Sequence, residues 1–285
     1  MQKKEIAIIG SGTMGTGVAQ LFAQFGYNVL LVDISQNQLN KAEQVIRHHL
    51  HYLSLTMQLS ETCAVDTIIS RIQFTTNYQD LNKYQFIIEN ITENWGKKAA
   101  LYEIIREYCD IASIIGINTS AISISRAASV IGNPGRVIGI HFMNPAPMMP
   151  VVEVIKARHT SESTITQVGM ILQDIKRKMV IVNDSPGFVT NRAMMLFVNE
   201  AIFMLQENVA EVQDIDNLFR QCFGHKMGPL QTADLIGLDT VLYSLETLAE
   251  GFADVKYRPC WLLKEMVYAG LLGQKSGQGF YQYEI

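Results

Sequence analysis

Through the first two thirds of the chain, short apolar runs alternate with segments of helical periodicity. Glu5–Ile9, Asn28–Val32, Phe86–Ile91, Ser113–Ile117 and Val137–Phe142 read as strands rich in aliphatic residues and buried on both faces. Between them, Leu101, Ile104, Ile105 and Tyr108 recur at helical spacing and predict a helix over Lys97–Cys109. This alternation predicts an α/β fold with a doubly wound, mainly parallel sheet. The pattern changes at Asp184-Ser185-Pro186-Gly187, a turn-type tetrapeptide. Residues 1–187 hold 27 isoleucines and residues 188–285 only four, so strand-forming composition gives way to the Leu, Met and Phe that suit helices. Met194, Phe197, Val198, Ala201, Ile202 and Leu205 then fall on one helical stripe. Two domains follow, 1–187 in the α/β class and 188–285 all-helical, with no linker between them and a cleft at their junction as the natural site.

One more apolar run, Val151–Ile155, follows the proline-rich loop Asn144–Pro150. An antiparallel hairpin centred on Pro147 sets His141 directly opposite Glu153. Opposed side chains share a face about 5 Å apart, within reach of an imidazole–carboxylate hydrogen bond.

The mean hydropathy of +0.11 and 18% charged residues indicate a globular chain with a sizeable core. The net charge of -4 gives no general attraction to nucleic acid or anionic membranes. The acidity lies in residues 188–285, which carry 7 basic and 12 acidic side chains. The 27 residues between Glu5 and Asp33 have no formal charge, yet five glycines and several polar residues interrupt them, so neither a membrane span nor a signal sequence is read there. A cytoplasmic location is expected. Cys63, Cys109, Cys222 and Cys260 lack metal-ligand spacing and read as buried reduced thiols.

Gly10-Ser11-Gly12-Thr13-Met14-Gly15 follows a predicted strand and opens a predicted helix, the setting in which G-x-G-x-x-G marks a dinucleotide site. Gly10 permits the tight turn, Gly12 lets a pyrophosphate approach, and Gly15 brings the helix close to the sheet. Asp33 ends the second strand, where an acidic side chain takes ribose hydroxyls and repels a 2′-phosphate; Ile34–Asn37 offers no Arg or Lys. NAD is the expected cofactor and the first domain is of Rossmann type.

Oxidation of an alcohol by a dinucleotide needs a base for the hydroxyl proton. Of six histidines, His48, His49, His51, His159 and His225 sit in polar surroundings and read as surface. His141 lies in an apolar strand near the carboxyl edge of the sheet and has Glu153 as a candidate partner.

The motifs Gly10–Gly15, Glu89-Asn-Ile-Thr-Glu93, Asn118-Thr-Ser120, His141–Pro147, Asp184–Arg192 and Lys275–Tyr281 together resemble the 3-hydroxyacyl-CoA dehydrogenase family, especially its stand-alone 3-hydroxybutyryl-CoA dehydrogenases. That resemblance covers essentially the whole chain. It implies His141 as catalytic base, Glu153 as its carboxylate partner, and Ser120 and Asn191 as polar contacts to the substrate. Thr13, Met14, Glu93, Lys98 and Asn118 would join Gly10, Gly12, Gly15 and Asp33 in holding NAD, with Glu93 and Lys98 near the nicotinamide ribose. It also implies a homodimer formed through the helical domain and an acyl thioester substrate.

Two departures stand out. The lysines that such relatives place near coenzyme A phosphates are missing from Ile46–Thr67, where Met57 and Leu59 flank the expected basic stretch; Ala121 stands where a second serine is usual. Coenzyme A is the default carrier, with an acyl carrier protein, as in hydroxymalonyl- or aminomalonyl-type extender-unit synthesis, as the alternative. Further alternatives are a non-catalytic NAD-binding structural protein and a relative acting on a free hydroxy acid.

Overall fold

The computed structural model describes residues 4–56 and 64–284. Met57, Leu59 and Cys63 lie outside the described residues. The chain divides into two compact units, residues 1–184 and 185–285.

In the first unit, β1 (Glu5–Ile9), α1 (Thr13–Gln24), β2 (Asn28–Val32), α2 (Gln36–Leu55), α3 (Val65–Ile69) and β3 (Ile72–Thr75) form the leading half. Then come β4 (Phe86–Glu89), α4 (Trp95–Tyr108), β5 (Ile114–Ile117), α5 (Ile124–Ile131), β6 (Val137–Phe142), β7 (Val151–Lys156), α6 (Glu162–Asp174) and β8 (Lys178–Asn183). Among the described residues the strands make one eight-stranded sheet in the order β3-β2-β1-β4-β5-β6-β7-β8. The order steps outward in both directions from the β1–β4 pair, the switch point at which open α/β sheets bind ligands. Pairing is parallel from β3 to β6; β6 and β7 are antiparallel, and β8 runs parallel to β7.

The central strands are apolar because helices cover both faces. All four residues of β4 and β5 and all six of β6 are buried. Ile6, Ile8, Val18, Phe22, Leu31, Ile46 and Ile88 pack into one continuous core. Polar side chains set the helix starts: Ser35, Asn94, Ser123 and Ser161 each accept a backbone N–H at the head of α2, α4, α5 and α6. At the end of the unit, Asp184 accepts from Ser123 Oγ at 2.9 Å and Ser125 N at 2.8 Å, which fixes the head of α5.

The second unit contains α7 (Thr190–Gln206), α8 (Val212–Phe223), α9 (Pro229–Ile236), α10 (Leu238–Phe252) and α11 (Trp261–Tyr268) around its own core. The expected long helix is α7, but its buried stripe is Met195, Val198, Ala201 and Ile202, while Met194 is exposed. The Lys275–Tyr281 motif is explained by two buried carboxylates. Asp234 accepts from the backbone N–H groups of Phe280 and Tyr281 and from Tyr283 Oη, and Asp216 accepts from Tyr281 Oη at 2.9 Å. Among the described residues no helix is long and apolar enough to cross a membrane.

Candidate active site

The glycine loop leaves β1 beside the end of β2, where Gly10 N donates to Val32 O at 2.7 Å. Gly10 has φ +94°, a conformation that side chains disfavour. A Cβ on Gly15 would lie 1.8 Å from Gly10 O, so only glycine lets α1 start this close to the loop. At Gly12 the result is opposite: an added Cβ would meet nothing within 4 Å. Gly12 caps α1 without a side-chain partner, and both Gly12 and Thr13 are exposed. First-turn amides of a helix lack intrahelical acceptors and, with the helix dipole, suit phosphate. An open glycine cradle against these amides, with Asp33 at the end of the next strand, fits the pyrophosphate and ribose of NAD.

A cavity of about 430 Å³ runs from this loop to the β6 edge, lined by Gly12, Asn90, Glu93, Ser120, His141 and Phe142 among others. At its far side His141 and Glu153 face each other in the β6–β7 ladder. His141 Nδ1 lies 3.1 Å from Glu153 Oε2, and His141 Nε2 lies 3.1 Å from Ser120 Oγ. His141 is 8% and Glu153 4% exposed, so water screens this pair little. An ionised carboxylate only accepts, which places the ring proton on Nδ1 and leaves Nε2 as the acceptor for the Ser120 hydroxyl.

Ser120 is presented by a turn that Glu93 clamps. Glu93 Oε1 accepts from Ser120 N and Ala121 N, both at 3.1 Å, and from Thr119 Oγ1. Asn118 is held at both ends of its amide: Nδ2 donates to Asn90 Oδ1 at 2.7 Å, and Oδ1 accepts from Phe142 N at 3.2 Å. These bonds tie the ends of β4, β5 and β6 into one rigid cavity wall.

Lys98 is fully buried. Its Nζ meets both carboxylate oxygens of Glu89 at 2.8 Å and stands 3.9 Å from Glu93. Tyr102 Oη and Ile91 N also donate to Glu89. Burial pushes the Glu89 carboxyl up, while Lys98 and these donors pull it back. In the sequence Glu89 stands only as the first residue of a motif, and no role is assigned to it or to Tyr102. Their signals are a charge ending an otherwise apolar strand, Phe86–Glu89, and a tyrosine four residues beyond a lysine on the same helix face.

Asn191 is the second residue of α7, in the helical unit. His48, His51, His159 and His225 are exposed. His49 departs from the surface reading: it is half-buried, with Nδ1 2.9 Å from Gln20 Oε1. Among the described cysteines Cys260 is buried as expected, whereas Cys109 is intermediate and Cys222 is exposed on an amphipathic helix.

A dinucleotide fold with a carboxylate-held histidine at the end of its cavity defines a class of NAD-linked dehydrogenases. Residues 5–185 match the family model of the 3-hydroxyacyl-CoA dehydrogenase NAD-binding domain, and residues 187–283 match that of the C-terminal domain. The chain belongs to the 3-hydroxyacyl-CoA dehydrogenase family, whose members are NAD-dependent oxidoreductases acting on a CH–OH group. It is 42% identical over 279 residues to a probable 3-hydroxybutyryl-CoA dehydrogenase of Deinococcus radiodurans, covering 98% of this chain and 100% of that one. A probable 3-hydroxybutyryl-CoA dehydrogenase of Bacillus subtilis is 39% identical, with 100% and 99% covered. The crystal structure of (S)-3-hydroxybutyryl-CoA dehydrogenase from Ralstonia eutropha superposes with a TM-score of 0.94 at 39% identity, over 100% of both chains.

Proposed function

We propose that this chain interconverts a short 3-hydroxyacyl-CoA and the corresponding 3-oxoacyl-CoA, with His141 as general base and acid. The observation that carries this reading is the His141 ring, fixed through Nδ1 by Glu153 while Nε2 meets Ser120 in the cavity that begins at the glycine loop. Bound NAD supplies the hydride acceptor. Nε2 takes the proton of the C3 hydroxyl, and the imidazolium so formed sits against the Glu153 carboxylate, which lowers its energy where it develops. In the reverse direction Nε2 returns that proton to the carbonyl oxygen. Ser120 is assigned a hydrogen bond to the substrate oxygen, and Asn191 a polar contact to the thioester region. Glu93 and Asn118 serve the site by holding the Ser120 turn and the cavity wall.

Two further assignments go with this reading: a cytoplasmic setting and a homodimer formed through the helical unit. Exposed Leu218, Phe223 and Trp261 in that unit supply apolar surface for self-association.

A carrier-protein thioester is the competing substrate, favoured by the lysine-free Ile46–Thr67 segment. Steady-state kinetics of NADH formation on 3-hydroxybutyryl-CoA and on the same acyl group carried by an acyl carrier protein test the choice. The expected result is a higher kcat/KM on the CoA thioester; a preference for the carrier protein would move the assignment to the tethered substrate.

A further inference from the structure

We propose that Ser11 is a specificity-determining residue for NAD, acting by locking the Asp33 carboxylate before the cofactor arrives. This rests on the NAD-binding reading of the glycine loop and goes beyond it, because Ser11 occupies a variable position of G-x-G-x-x-G. Both donors of Ser11 converge on one oxygen: its backbone N–H and its hydroxyl each donate to Asp33 Oδ2 at 2.8 Å. The other oxygen, Oδ1, accepts from Ser35 N at 3.0 Å. Ser11 is itself held from behind, since Thr16 Oγ1 donates to the Ser11 carbonyl at 2.9 Å. Ser11 is 4% and Thr16 6% exposed, whereas Asp33 is only half-buried. A chain of hydrogen bonds thus runs from α1 through the loop to the end of β2.

An ionised carboxylate has about four acceptor positions. Three are filled within the protein, two on Oδ2 and one on Oδ1, so the remaining strong position lies on Oδ1. The carboxylate therefore meets a ribose in one orientation, with the rotational entropy of its side chain already lost on folding. The same constraint acts against a 2′-phosphate, because a carboxylate held from two sides cannot swing away to relieve the like-charge contact. Removing the Ser11 hydroxyl keeps the backbone bond but frees half of Oδ2.

The test is fluorescence titration of the full-length protein with NADH and with NADPH, comparing wild type, Ser11→Ala, Ser11→Gly and Ser11→Thr, with Tm recorded for each. Because the Ser11 hydroxyl bond is already made in the free protein, its effect on binding is the pre-ordering of one side chain, worth roughly two- to tenfold in affinity. The expectation is that Ala and Gly raise the NADH Kd roughly two- to tenfold, leave the NADPH Kd unchanged or lower it, and lower Tm by roughly 3 to 12 °C, since the free protein also loses the hydroxyl bond. Threonine, which keeps the hydroxyl, should hold the wild-type NADH-to-NADPH ratio within about twofold. Equal weakening of both cofactors in Ala and Gly would assign Ser11 a merely structural part in the loop and overturn the proposal, as would unchanged NADH binding. Wild-type protein that fails to prefer NADH would instead overturn the cofactor reading on which the proposal stands.

Discussion

Replacing Glu153 by glutamine isolates the contribution of its charge. The side-chain volume stays the same, and an amide oxygen can still accept from His141 Nδ1. What is lost is a full negative charge beside an imidazolium at a contact of 3.1 Å. Two unit charges at that separation attract by about 5 kcal/mol at an effective dielectric of about 20, a value suited to a pair that is nearly but not wholly buried. The retained amide hydrogen bond returns about 1 kcal/mol. The net loss of about 4 kcal/mol falls on the state in which His141 carries the proton, so kcat should drop by roughly two to three orders of magnitude. Substrate and cofactor binding are largely made elsewhere, and KM and the NADH Kd should change by less than about threefold. Initial rates of NADH formation from 3-hydroxybutyryl-CoA, set beside a fluorescence titration with NADH, measure both quantities. A Glu153→Gln enzyme with kcat within threefold of wild type would refute the assignment of Glu153 as the group that stabilises the protonated ring.

Two other predictions rest on buried chemistry. Lys98→Met removes the cation from a fully buried pair and leaves the Glu89 carboxylate with only Tyr102 and Ile91 as donors. Stability should fall by about 3 to 5 kcal/mol, seen in calorimetry as a Tm drop of roughly 6 to 20 °C, and Lys98→Met combined with Glu89→Gln should recover part of it. A single variant as stable as wild type would contradict the geometry of the pair. Burial pushes the Cys109 thiol up to about 12, so at pH 8 only about one molecule in ten thousand carries the thiolate. Iodoacetamide should therefore alkylate exposed Cys222 and spare Cys109 in the folded protein, with Cys109 labelling rising about tenfold per pH unit below its pKa. Peptide mapping by mass spectrometry reads both sites, and equal labelling at pH 8 would contradict the burial.

The parts of this molecule that were legible in the sequence are those specified locally. β1, β2 and β6 begin and end where their apolar runs do, because central strands covered on both faces need no polar alternation. The His141–Glu153 pairing was legible for a related reason: it depends on one hairpin of known register. Edge strands were not legible. β3 has four residues and β8 is partly exposed on both faces, so neither carries a continuous apolar run or a clean alternation. Phe86–Ile91 overshot the true strand because Asn90 and Ile91 turn their polar groups to Ile88, Asn118 and Glu89 after β4 ends. On α7, Met194 and Met195 are adjacent and equally apolar, and only the packed core decides which is buried. The Glu89–Lys98–Tyr102 cluster and the Ser11–Asp33 lock were hidden because they form between a strand end and a neighbouring helix or loop, and the periodicity of one element does not show which side chains meet across two.

The β6–β7 hairpin makes strand register a determinant of chemistry. Ile140, His141 and Phe142 pair with Val154, Glu153 and Val152, so the only carboxylate in this stretch of ladder is flanked by valines. Side chains on a strand alternate between faces, so a slip of this ladder by one residue would exchange the faces of β7 relative to β6. His141 would then face Val152 or Val154, with Glu153 turned to the opposite side of the sheet. Every side chain proposed for catalysis would still be present, and the imidazole would have lost its counter-charge. Under the proposed role of His141, the register of one hairpin matters to proton transfer as much as the identity of either residue it aligns.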